Sequence, residues 1–238
     1  MMITRIATAA TLAFCAATSQ AAQVTAFSWD FDNAVASAAG VGYSITNFSG
    51  LQTSTQGFNG VGGFAGNFSR STNEGSQVSS TLSLSLVNLP AHTGLDVNFL
   101  LALIDSWDSD NGSPAPDHFN VRIDGNVVLQ LTCNNASGSN CYGGTVVAPM
   151  AHRGFNGSWQ DIGYDMAGES ALSIAHTGSS ALIELFASGN GWQGGSDESW
   201  GVDNLSVVLT TRDGTVPLPG TLALVGLGLL ALSRRRAR

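Results

Sequence analysis

The middle of this 238-residue chain predicts an all-β fold, an antiparallel β-sandwich of the jelly-roll kind. Three observations carry that expectation. Leu82, Leu84 and Leu86 alternate with Ser83 and Ser85, the period-two pattern of a strand with one buried face. Asp124-Gly125 separates His118–Ile123 from Asn126–Leu131, the strongest short-range hairpin signal. Phe119, Val121 and Ile123 are expected to face inward on one arm, and Val127, Leu129 and Leu131 on the other. Loops rich in Gly, Ser and Asn separate the apolar runs, and no stretch of the body keeps a helical period over three turns.

In chain order, residues 1–21 read as a secretory signal peptide. Arg5 supplies the positive start, residues 6–17 the apolar centre, and Ser19-Gln20-Ala21 the small residues a signal peptidase requires. The bulky Phe14 before Cys15 argues against a lipoprotein box there. The body, residues 22–212, is long enough for one domain with a core of its own. Residues 33–38 are expected to make one short helical turn. Residues 49–75, crowded with Gly, Ser, Thr and Asn, read as a long loop of the kind that is functional or mobile, and 188–196 is similar. The continuous apolar run 99–104 suits a central strand, and 171–175, 181–187 and 200–210 read as later strands.

Charge narrows the function. The 17 acidic residues all lie between Asp30 and Asp213, where the only basic residues are Arg70, Arg122, Arg153 and Arg212, a net charge of −13, and the chain has no lysine. Such a surface repels phosphate backbones and anionic lipid, so no nucleic-acid partner is expected. Two cysteines remain once the signal is removed, Cys133 and Cys141. Outside the inner membrane they are expected to form a disulfide across a loop of turn-forming residues, stabilising the fold by about 2–3 kcal/mol in the chain-entropy model.

Asp105, Asp108 and Asp110, with Asp117 a few residues on, gather hard oxygen ligands on one inter-strand loop, as Ca²⁺ requires. The spacing is not that of an EF-hand, because Phe119 stands where the bidentate Glu would be. A second acidic group, Asp197-Glu198, runs into Asp203 at the start of the last strand. The alternative is a solvated acidic loop whose aspartates cap turns. Trp159 and Trp192, in Gly/Ser/Asn loops, are the two rings that could stack on a sugar of an extracellular polysaccharide, whereas Trp200, on a strand, is expected in the core. Catalysis has little to build on. No Gly-x-Ser-x-Gly elbow or His-Glu-x-x-His pair is present, and His92, His118, His152 and His176 stand singly, so a non-enzymatic protein is expected.

After the linker at 213–215 comes Val216-Pro217-Leu218-Pro219, then an uncharged apolar run, then Arg234, Arg235, Arg236 and Arg238. Residues 216–233 would span roughly 27 Å as a helix, enough for one C-terminal transmembrane helix with its arginines on the cytoplasmic side. An ordinary membrane anchor would look similar, but the three-part order of tail 213–238 resembles the PEP-CTERM sorting signal. That family usually carries Val-Pro-Glu-Pro, and here Leu218 replaces the glutamate. The resemblance implies an exosortase-like processing enzyme as partner, transient anchoring in the inner membrane, and delivery to the cell surface or extracellular matrix in a structural or adhesive role. A carbohydrate-binding role is the alternative. Ile104-Asp105-Ser106-Trp107-Asp108 and Ser199-Trp200-Gly201-Val202-Asp203-Asn204 resemble elements of exported galactose-binding or concanavalin-like jelly-roll modules. That resemblance implies a structural calcium with Asp203 as a ligand and Asp30 or Asp32 as its partners.

Overall fold

Backbone N–H and C=O groups buried away from water must pair, and a chain without helical periodicity pairs them between strands. The computed structural model describes residues 21–46, 56–71, 81–110, 115–155, 158–195 and 197–211. Within them run β1 (Ala22–Trp29), β2 (Ala36–Ser37), β3 (Gly42–Thr46), β4 (Ser69–Arg70), β5 (Thr81–Val87), β6 (His92–Asp105) and β7 (His118–Ile123). Then follow β8 (Asn126–Leu131), β9 (Thr145–Ala151), β10 (Asp161–Asp165), β11 (Ser173–Ala175), β12 (Ser180–Ser188) and β13 (Glu198–Thr211). They make two antiparallel sheets. One has the order β2-β1-β13-β6-β10-β9, with β4 on β13 and β11 on β6; the other has the order β3-β5-β12-β7-β8. The sheets face each other as a β-sandwich across one apolar core, and Ala22–Arg212 forms one compact unit. Among the described residues no helix is long and apolar enough to cross a membrane. The signal segment, the sorting residues and the apolar run 216–233 lie outside the described residues.

The strands expected from alternation are present. Leu82, Leu84 and Leu86 of β5 point into the core, as do Phe119, Val121 and Ile123 of β7. Asp124 (φ 48°) and Gly125 (φ 82°) both adopt the left-handed conformation a tight two-residue hairpin demands. On β8 the expected pattern breaks. Val121 pairs with Leu129 but Arg122 with Val127, so the register shifts there and Val127 turns outward, 51% exposed. Two other expectations are corrected. Residues 33–38 make no helical turn. The Asp30 carboxylate accepts the N–H groups of Asp32 and Asn33, reversing the chain so that Ala36 and Ser37 pair with β1. In 171–175 only the last three residues are strand, because Glu169 accepts the Ala171 N–H and starts a 3-10 turn at Ser170–Leu172.

The run at 99–104 is apolar throughout because β6 is covered on both sides. Leu95, Val97, Phe99, Leu101 and Leu103 face the second sheet, whereas Leu100, Ala102 and Ile104 face a second, smaller core on the outside. That outer core is made by the segment 56–71, which was expected as an open loop. Across the sheet, Gly201 pairs with Ala102, Ala102 with Gly163, and Gly163 with Ala148, so one row of four strands carries nothing larger than a methyl group. Phe58, Phe64 and Phe68 fill the trough and are fully buried or nearly so. Each ring contributes about 1.5–3 kcal/mol by leaving water. A Cβ on Gly201 would lie 2.0 Å from the Phe68 ring. Arg153 lies over Phe58 at 4.8 Å and Arg70 over Phe155 at 4.5 Å, sealing the edge.

Overpacking therefore has a defined cost. Gly201→Val should destabilise the body by about 1–3 kcal/mol or more in denaturant unfolding, whereas Val127→Thr, on the exposed face, should change it by less than about 0.5 kcal/mol.

Candidate functional site

At its C-terminal end β6 runs into a cluster of polar groups gathered from four parts of the chain. Asp105, the last residue of the strand, sits at φ 70° and redirects the backbone. Ser106 donates its N–H to the Asp197 carbonyl and its hydroxyl to the same residue. Trp107 goes inward, where its indole N–H donates to the Ser199 carbonyl at 2.7 Å and its ring meets Trp192 at 5.3 Å. The Cys133–Cys141 disulfide closes the loop beneath. From that loop Asn135, fully buried, donates its side-chain amide to the carbonyls of Leu103 and Asp105, and its N–H to the Trp107 carbonyl. The staple thus positions the floor of the cluster, a role its turn-rich composition did not reveal.

On that floor three carboxyls converge. Asp108 and Asp117 are locked together, the N–H of each donating to the other: Asp117 to the Asp108 carbonyl at 2.8 Å, Asp108 to Asp117 Oδ2 at 2.6 Å. Glu198, the first residue of β13, pairs with Asp105 and so brings its side chain to the same place. One oxygen from each of Asp108, Asp117 and Glu198 lies within 4.8 Å of the others. Burial pushes the Asp117 carboxyl up to about 7, and the charges of Asp108 and Asp197 add to it. Burial pushes Glu198 up to about 8, with Asp117 and Asp197 adding, against the pull of the Gln193 N–H at 2.5 Å. Burial and Asp197 raise Asp108 as well.

The other expected ligands stand apart. Asp105 is buried 3.6 Å from the Arg70 guanidinium, and its N–H donates to Asp161, a buried carboxylate that also accepts from Arg153. Asp110 is exposed and pairs with His118 Nε2 at 3.1 Å. Asp203 is buried further along β13, accepting the N–H groups of Ala65 and Asn204. Burial first, then the charges of Asp32 and Asp30, raises it to about 6. Of the site residues, the sequence reading names Glu198 only within the Asp197-Glu198 pair, and Asp161 carries no local signal.

The tryptophans are less open than a stacking platform would be. Trp159 is half-buried and its carbonyl accepts from His152 Nδ1. Trp192 is half-buried against Trp107, and Trp200 is in the core as expected. Nor do all the histidines stand singly. β11 pairs with the start of β6 and brings His176 Nδ1 to 2.7 Å from His92 Nε2. His92 Nδ1 donates to the Pro90 carbonyl, and His176 Nε2 reaches Asp124 at 3.1 Å.

Comparison with known proteins adds the tail. Residues 215–237 match the PEP-CTERM protein-sorting motif. The motif marks an exported protein sorted by an exosortase, held transiently in the membrane before processing. Among solved structures, TmCBM61 in complex with β-1,4-galactotriose is similar over 71% of this chain and 88% of its own, at 8% identity and a TM-score of 0.27. A likeness that low says nothing about a ligand here. No curated protein matches the chain.

Asp203 makes stability depend on pH. Its carboxyl holds its proton to about 6 when folded and only to the ordinary aspartate value of 3.8 when unfolded, so the folded state binds more protons between the two. Its contribution is complete below pH 4 and is lost as pH rises through about 6. Unfolding measured from pH 4 to 7.5 should show a smaller loss in Asp203→Asn than in the native chain, the raised carboxyls of Asp117 and Glu198 supplying the remainder.

Proposed function

We propose that this chain is a surface or extracellular-matrix protein with a structural or adhesive role, delivered by exosortase-dependent sorting. The observation that carries the reading is the sorting motif at 215–237, with Val216-Pro217-Leu218-Pro219 ahead of the apolar run and Arg234, Arg235, Arg236 and Arg238 behind it. In this reading residues 216–233 cross the inner membrane once as a helix, the arginines hold the cytoplasmic side, and the body folds outside. The body supports it. In this reading the strand orders β1-β13-β6-β10 and β5-β12-β7-β8 form a double-sheet jelly roll. The disulfide and the excess of acidic groups suit an oxidising compartment and a protein that stays soluble there.

Glycan binding is the second reading. The outer face of the second sheet favours it: Gln130 is exposed and Arg122 pairs with Glu184, polar groups of the kind a sugar hydrogen-bonds, while Asn120 and the Phe186 ring beneath Arg122 are buried. A glycan array with Arg122→Ala, Trp159→Ala and Trp192→Ala separates the sheet face from the loop tryptophans and both from a body that binds no sugar.

Sorting is tested at the tail. Intact-mass analysis of the mature protein from its native host should find Arg234, Arg235, Arg236 and Arg238 removed. Arginines still attached would mean an ordinary anchor.

A further inference from the structure

We propose that Asp108, Asp117 and Glu198 form a calcium site that ties the loop between β6 and β7 to the first residue of β13. Asp108 and Asp117 come from the loop between β6 and β7 and Glu198 from the distant β13, and backbone hydrogen bonds fix each before any ligand arrives. Asp117 is fully buried, and its Oδ1 has no hydrogen-bond donor. Asp117 Oδ2 already takes the Asp108 N–H, and the Asp117 and Glu198 carboxyls lie close enough to hydrogen-bond through a shared proton. Native structures rarely leave a buried carboxylate oxygen without a partner.

No cationic side chain among the described residues forms an ion pair with Asp108, Asp117 or Glu198. Arg70 serves Asp105, Arg122 serves Glu184, the Arg153 guanidinium donates to the Gly57 and Pro149 carbonyls, and His118 serves Asp110. Three acidic groups within 4.8 Å of one another therefore face either a shared proton or a cation.

The donor set selects the cation. All three ligands are hard oxygens, which excludes the soft metals. Asp117 Oδ2 and Glu198 Oε2 are committed to backbone N–H groups, and Glu198 Oε1 accepts a long bond from the Gln193 side-chain amide at 3.4 Å, so the carboxyl oxygens sit where the fold puts them rather than at octahedral corners. Ca²⁺, with six to eight oxygens in irregular geometry, accepts such a set and completes it with water or carbonyls, whereas Mg²⁺ demands near-ideal octahedra. The proposal does not depend on the sorting or glycan readings, so it stands or falls separately.

The test is thermal melting of the purified full-length chain in high salt, with EDTA, MgCl₂ or CaCl₂, beside Asp117→Asn, Glu198→Gln and the exposed Asp110→Asn. Calcium at a hundredfold excess over its Kd should raise the native melting temperature by about 5–10 °C. Asp110→Asn should follow the native chain. Asp117→Asn and Glu198→Gln should melt at or above the native chain in EDTA, since their amides relieve the buried repulsion, and should barely respond to calcium. Terbium gives a reading independent of melting, because Trp107 adjoins Asp108. Its sensitised emission should be displaced by calcium, and Asp117→Asn should weaken its binding by more than about tenfold. A native chain indifferent to calcium, an equal response to magnesium, or variants that shift as far as the native chain would overturn the site and leave a shared proton in its place.

Discussion

The pairing of β6 with β13 is the constraint on which the rest of the molecule depends. These are the two longest strands, 14 residues each, and they run side by side from Glu198 opposite Asp105 to Thr211 opposite His92. Over residues 99–105 and 198–203 every residue of both strands is buried. The second sheet covers one face and the phenylalanines of segment 56–71 the other, so neither strand can slip by one residue without exchanging large side chains for small ones. That register also sets the chemistry. Glu198 meets Asp108 and Asp117 only because it lies opposite Asp105, and Asp203 meets the backbone of Ala65 only because the phenylalanine segment is seated.

The acidity of the body takes on a structural meaning in this light. Among the described residues five acidic side chains are buried: Asp105, Asp117, Asp161, Glu198 and Asp203. Arginine answers one of them, Arg70 beside Asp105; the backbone N–H groups of Asp105 and Arg153 answer Asp161, and those of Ala65 and Asn204 answer Asp203. Asp117 and Glu198 press on each other. Burying charge is expensive unless it is paired, so acids so placed in the most rigid part of the sandwich are matched by something besides arginine.

What the sequence made legible follows from how local each signal is. The tail is a linear pattern and needs no fold to be read. The Asp124-Gly125 hairpin and the leucines of β5 were legible because one buried face imposes alternation, and the disulfide because two cysteines have one pairing. β10 was illegible because Asp161-Ile162-Gly163-Tyr164-Asp165 must be small where the phenylalanines press and polar where Arg153 donates, which erases its periodicity. Asp108 and Asp117 of the acidic loop do lie in the three-carboxyl cluster. Their grouping with Glu198 rather than with Asp105, Asp110 or Asp203 depends on cross-strand register, which no local pattern encodes.

Native-state hydrogen exchange tests the central role of that pairing most directly. If β6 and β13 hold the body together, the amides of residues 100–104 and 200–203 should be the slowest in the chain and exchange only with global unfolding, while those of the edge strand β8 exchange by local opening. Amides at 100–104 that exchange as fast as those of β8 would contradict the account, because the carboxyls and the phenylalanine cover would then rest on a frame that opens on its own.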